Sequence, residues 1–371
     1  MYLTKGERQS LIVQIQEKRN SSVIAYILGD RKGYPFGMVP NLATQIADDA
    51  LRPFVEHLQA LGHQEKIDLF LYSRGGETNF PLRLVRLIRE YCNTFSVLVP
   101  YRAHSAATMI CLGADEIVMG KIGELSPVDP TTANVFNPID PLNPAGRWPI
   151  SVEDVTAYLS LAKDKAKLDS EGSVREIFKA LTDKISPVAL GNVHRVYNLI
   201  RMLVPKLLGL HMDITKVEEQ QKVQKIVEIL TEKLYTHDYL ICRLEAEKEI
   251  GLKILNPNQD LEDLMWKLYK TYESDIKLLD PFDPRQILGT QQTATFSEET
   301  GYIESTKRTD AFVQEGELTP PPTLQQIQQI ISVIPPQLLV QIVPQLIQIT
   351  RQLSLYPPTV KFTSQKWQLV P

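Results

Sequence analysis

Residues 73–130 read SRGGETNFPLRLVRLIREYCNTFSVLVPYRAHSAATMICLGADEIVMGKIGELSPVDP, and the fold turns on how this stretch is divided. Pro81 to Tyr91 carries apolar residues at helical spacing with proline at its start, where the missing N–H costs nothing. Phe95 to Val99 is a short continuous apolar run, which predicts a buried strand. Ala106 to Gly113 predicts a helix of small apolar residues, and Glu116 to Met119 a further strand. Working upstream, Ser22 to Leu28 (SVIAYIL), closed by Gly29-Asp30, and Lys66 to Tyr72 (KIDLFLY) read as two more strands. Helices are expected over residues 6–19 and from Ile46 to Leu61. Strands alternating with helices at this interval predict an α/β fold with a largely parallel sheet covered on both faces.

Two features fall where two of these strands end. Gly75-Gly76 follows the second strand and precedes a helix, so unhindered backbone N–H groups are available to a carbonyl oxygen, as an oxyanion hole requires. Ser105 follows the third strand and opens the small-residue helix, where free amides and the helix dipole favour a developing negative charge. A Gly-Gly pair alone is more often a tight turn, and a serine at a helix start is more often a cap. In this order and context they point to a nucleophile, Ser105, facing backbone donors.

Downstream, residues 127–149 contain six prolines and predict an irregular connection over a surface. Ser151 with Glu153-Asp154 caps a helix expected to run to about Leu168. Ser186-Pro187 opens another, with Leu190, Val193, Val196, Leu199, Ile200 and Leu203 at helical spacing, and a third is expected from Lys216 to Leu234. The domain plan is therefore an N-terminal helix (1–21), a main domain (22–280), a terminal strand at Gly301 to Ser305 with a linker (281–322), and a Gln/Pro-rich tail (323–371). The tail suits either a protein partner or oligomerisation, or a plain extension.

Composition excludes several classes. The 371 residues suffice for a sizeable core. The 40 basic and 44 acidic residues leave a formal charge of -4 with no basic stripe, so nucleic acid is not an expected partner. Cys92, Cys111 and Cys242 form no CxxC pair or Cys/His cluster, which argues for a reducing compartment, inert buried thiols and no metal site. The N-terminus lacks the continuous apolar region of a signal peptide, and the most apolar stretches are broken by Pro and Gln, so a cytoplasmic protein with no membrane span is expected.

The 73–130 segment resembles the core of the Clp-protease/signal-peptide-peptidase clan, in which an S-P-G-G-type loop precedes the nucleophile helix. It is closer to the serine dehydrogenase proteinase family, through Ala114 to Met119 (ADEIVM) and Ser126 to Pro130 (SPVDP), with Tyr235 to Tyr239, Glu245-Ala246, Ile250 to Leu252 and Tyr302 to Phe312 in agreement. The resemblance covers roughly residues 20–316. It implies a ClpP/crotonase-like ββα superhelix with helical additions, a serine peptidase acting on peptides or unfolded segments through an acyl-enzyme at Ser105, and a homo-oligomer. Gly75, Gly76 and Ala106 would supply the oxyanion amides. Arg74 replaces the usual proline of the loop, and Ala106-Ala107 replace the Gly-Gly after the nucleophile.

The general base is less plain. No histidine occurs between Ser105 and His194, so the His expected about 25 residues after the serine in Clp proteases is missing. Signal peptide peptidases instead place a lysine roughly fifty residues on, which points to Lys163, with Lys165 beside it; a solvated helix face is the plainer reading of KDKAK. Lys121, His194, His211, His104, His237 and Asp129 are further candidates, each with a packing, capping or surface role as its plainer reading. The competing functions are a catalytically weak scaffold of the same fold and a crotonase-like acyl-CoA enzyme. No lysine context marks a pyridoxal phosphate site and no P-loop is present, so no cofactor is expected.

Overall fold

The computed structural model describes residues 5–128, 131–132, 134–139, 146–234, 236, 239–321 and 356–370. Helix α1 (Lys5–Arg19) leads into strand β1 (Ser22–Leu28), and α2 (Leu51–Leu61) into β2 (Gln64–Tyr72). Then come α3 (Phe80–Arg89), β3 (Cys92–Val99), α4 (Ala106–Leu112) and β4 (Glu116–Met119). These elements match the apolar runs of the sequence because each strand is buried on both faces. In β1, Ile24, Tyr26 and Leu28 face Phe54 and Leu58 of α2, in a core that also holds α3 and α4. The alternate residues Val23, Ala25 and Ile27 face Leu11, Ile12 and Ile15 of α1, and Leu264, Met265 and Leu268 of α9 (Gln259–Asp275). Period-two alternation across a sheet thus becomes two cores.

Among the described residues the sheet has eight strands. Completing it are β5 (Ile254–Leu255), β6 (Ala294–Ser305), β7 (Arg308–Thr319) and β8 (Thr359–Leu369), in the order β5-β4-β3-β2-β1-β6-β7-β8. Pairing from β5 to β1 is parallel and from β1 to β8 antiparallel, so the expected parallel sheet is one half of a mixed one.

The antiparallel half differs from the expected strand and linker. Residues 294–319 form a long hairpin next to β1, and part of the expected tail is β8, whose Trp367 packs on Tyr26 and Phe312. Buried polar residues hide this hairpin from an apolar count: Glu304, Ser305, Thr309, Asp310 and Gln314 are all inside. Each has a partner. Glu304 accepts from Arg8 (2.6 Å), Gln9 (2.6 Å) and Tyr272 (3.0 Å), and Arg8 also pairs with Asp275. His57 of α2 bridges Ser305 (2.9 Å) and Asp310 (3.1 Å).

The helical addition comprises α5 (Val152–Ser160), α6 (Glu171–Thr182), α7 (Pro187–Leu208) and α8 (Val217–Glu228). Helix α7 buries Leu203, Val204 and Leu207 in the core shared by α3 and α4, and so ties this addition to the small-residue helix. Residues 322–355, which carry most of the Gln-rich run, lie outside the described residues, as do Asp129 and His237. No helix among the described residues is long and apolar enough to cross a membrane. Cys92 and Cys111 are buried, and burial pushes the Cys92 thiol up to about 11; Cys242 is exposed, contrary to the expectation of three buried thiols.

Candidate active site

The site forms at the carboxyl ends of β2 and β3, where open α/β sheets place their crevices. Backbone pairing continues past both strand ends: Ser73 N–H donates to Arg102 O (2.9 Å), and His104 N–H donates to Ser73 O (3.0 Å). On the other side, Ile46 N–H donates to Gly75 O (2.9 Å) and Glu77 N–H to Ile46 O (2.7 Å). The glycine loop is thereby held between two neighbours. Because the groups flanking Gly76 face Ile46, the extended chain turns the Gly76 N–H to the opposite edge.

Close approach explains both glycines. A Cβ on Gly75 (φ +111°) would stand 2.9 Å from the Ser105 Cβ, 3.1 Å from His104 O and 3.4 Å from the Ala106 nitrogen. A Cβ on Gly76 would lie 2.1 Å from Ile46 O. Gly75 therefore abuts Ser105 directly. The Gly75 N–H, expected as an oxyanion donor, is taken by the Ser73 hydroxyl at 3.0 Å. Among the described residues no group accepts from the N–H of Gly76 or of Ala106.

Ser105 is half-buried and adopts φ +51°, ψ −113°. Such a conformation costs a non-glycine residue about 1–3 kcal/mol and, where it occurs, gathers at functional sites. Its N–H donates to the Ser126 hydroxyl at 2.8 Å. The helix behind it is fully buried from Ala106 to Leu112; Thr108 Oγ1 donates to Ala103 O (2.7 Å) and accepts the Ser126 N–H (3.1 Å). Beside the serine, Glu124 accepts from Arg102 (3.0 Å) and lies 3.1 Å from His104 Nε2. Arg74 is partly exposed at the lip, 3.8 Å from Asp30, which also accepts the Tyr72 hydroxyl (3.0 Å).

No described residue hydrogen-bonds the Ser105 hydroxyl. Lys163 is exposed in the turn Leu161–Lys165. Lys121 donates to Gln259 (2.8 Å), and His194 lies on an exposed helix face beside Asn198. His211 Nε2 is 3.0 Å from Leu112 O at the far end of α4, and burial lowers its pKa. The residues that sequence reasoning missed are Ser73 and Ser126, whose hydroxyls accept the N–H groups of Gly75 and Ser105. Only the SPVDP element drew attention to Ser126.

Residues 1–187 match the family of ClpP-like SDH-type serine proteinases. Two proteins of Methanocaldococcus jannaschii are similar. Uncharacterized protein MJ0137 is 26% identical over 264 residues, 71% of this chain and 78% of that protein. Uncharacterized protein MJ1495 is 23% identical over 266 residues, 72% and 76% respectively. Among solved structures, a mutant of the 1510-N membrane-bound stomatin-specific protease in complex with a substrate peptide shares 15% identity, with a TM-score of 0.34 over 58% of this chain and 73% of that one. A second mutant of that protease shares 15% identity, with a TM-score of 0.35 over 61% and 79%.

Proposed function

The chain belongs to the family of ClpP-like SDH-type serine proteinases, and on that premise we propose that it is a serine peptidase with Ser105 as nucleophile. The supporting observation is the close approach of Gly75 to Ser105, which sets the glycine loop against the strained serine. The Ser105 hydroxyl attacks a peptide carbonyl, and the oxyanion that forms is met by the N–H groups of Gly76 and Ala106. A base takes the hydroxyl proton during the attack and gives it to the departing amine as the adduct collapses, and water then hydrolyses the acyl-serine to the acid and free Ser105. Substrates are peptides or unfolded protein segments, taken without coupled ATP hydrolysis in the reducing cytoplasm. The active form is a homo-oligomer, with the Gln/Pro-rich tail contacting a protein partner.

For the base, the assignment carried by spacing is Lys163. A lysine accepts a proton where burial disfavours its ammonium, so this assignment requires the exposed Leu161–Lys165 turn to be covered in the assembled enzyme. Loss of labelling in Lys163→Met is the result expected of it; wild-type labelling removes it.

A fluorophosphonate probe tests the whole reading. Labelling of the wild type and none of Ser105→Ala is expected. The absence of any described partner for the Ser105 hydroxyl favours a second reading, a scaffold of the same fold with weak or no catalysis, and an unlabelled wild type would establish that one.

A further inference from the structure

Ser126 stands 21 residues after Ser105 and is almost fully buried. Its hydroxyl makes two hydrogen bonds: it accepts the Ser105 N–H at 2.8 Å and donates to Pro127 O at 3.0 Å. Its own N–H donates to Thr108 Oγ1, and that hydroxyl donates to Ala103 O. A short chain of bonds thus runs from Ala103 O, two residues before Ser105, through Thr108 of α4 and Ser126 to the backbone of Ser105 itself.

We infer that Ser126 is a positioning residue for Ser105, its hydroxyl fixing the strained backbone from which the nucleophilic side chain projects. The inference rests on the assignment of Ser105 as nucleophile. Ser105 carries a positive φ that a serine leaves readily unless its surroundings hold it. The helix cannot do this alone, since α4 begins only at Ala106 and the Ser105 N–H points to no helical carbonyl. Ser126 Oγ is the acceptor that the Ser105 N–H finds. The direction of its own proton, toward Pro127 O, leaves a lone pair facing Ser105. Two neighbouring hydroxyls then divide the amides: Ser126 takes that of Ser105 and Ser73 that of Gly75, while those of Gly76 and Ala106 stay available to substrate.

The test uses the full chain and a fluorophosphonate probe, separating the labelling rate at saturation from the probe concentration giving half that rate. Ser126→Ala is expected to lower the saturating rate at least about tenfold, a change of about 1.4 kcal/mol in activation free energy, with half-saturation moved less than about threefold. Ser126→Thr, which retains the hydroxyl, is expected to recover most of the rate. A purely structural role would lower the melting temperature and leave the rate per folded molecule unchanged, and that outcome overturns the inference. If the alanine variant does not fold, Ser126→Cys, with nearly the volume of serine but a weaker acceptor, decides in its place; labelling at the wild-type rate overturns the inference. A wild type that is not labelled, or a Ser105→Ala variant that still is, overturns the nucleophile assignment and this inference with it. Those results are distinct from a labelled wild type matched by Ser126→Ala.

Discussion

Gly75 lies so close to Ser105 that a methyl group on the one would meet the Cβ of the other at 2.9 Å. Gly75→Ala is therefore expected to push the loop and the serine apart. A misplacement near 1 Å at a reacting group costs about a hundredfold in rate, and fluorophosphonate labelling is expected to fall by that order. Gly62→Ala is the control, because Gly62 also has a positive φ (+68°) but open space around it; its labelling stays at the wild-type level. Unaltered labelling in Gly75→Ala would contradict a functional role for this close approach.

Removing Glu304 leaves the buried Arg8 with Asp275 as its remaining ion partner and takes the acceptor from the buried Tyr272 hydroxyl. Arg8 and Glu304 are 2% and 0% exposed, so Glu304→Ala is expected to lower unfolding free energy by about 3–5 kcal/mol in urea titrations. Replacing both by methionine is expected to cost less than the single change. Equal or greater loss in the double variant would show that the pair is not acting as a unit.

Glu116 makes the fold acid-sensitive. Burial alone would raise its pKa, but hydrogen bonds from Lys66 (2.7 Å) and Arg19 outweigh burial and hold it at about 2. An unfolded glutamate titrates near 4.3. The folded value lies below the unfolded one, so the contribution to stability is complete above about pH 4.3 and disappears as pH falls toward 2. Melting temperatures of wild type and Glu116→Gln are expected to differ at pH 6 and to converge between pH 4 and 2. A constant difference across that range would refute the assignment.

Strand β8 protects the margin of the sheet. Deleting residues 356–371 would leave the twelve residues of β7 with an unpaired edge and would uncover Phe312. Exposed edges of this length pair with other chains. The truncated protein is expected to melt lower and to form light-scattering aggregates, and a monomeric protein of unchanged melting temperature would count against a structural role for β8.

The legible part of the fold was the half buried on both faces. Strands β1 to β4 are continuous apolar runs, and the glycine pair and Ser105 stand at their ends because turns interrupt those runs. Of the hairpin of β6 and β7 only Gly301 to Ser305 was legible as a strand: Glu304 and Asp310 are inside through partners more than 200 positions away, Arg8 and His57, and no local pattern encodes such pairings. At the site, the crevice followed from strand order, but the occupancy of individual amides did not. That Ser73 takes the Gly75 N–H depends on one rotamer of a fully buried serine. The base rests on spacing alone, because a proton acceptor is recognised by burial and reach and sequence spacing gives neither.

The bond between Arg8 and Glu304 joins residues 296 positions apart, and this separation has a consequence for synthesis. The opening helix leaves the ribosome long before its carboxylate exists, so the guanidinium must wait in water while the parallel half of the sheet assembles. Contacts of such wide sequence separation form late and slowly. A ribosome stalled before residue 304 would therefore hold a chain in which Leu11, Ile12 and Ile15 already seat the first helix on the sheet while Arg8 has Asp275 as its ion partner and still lacks Glu304.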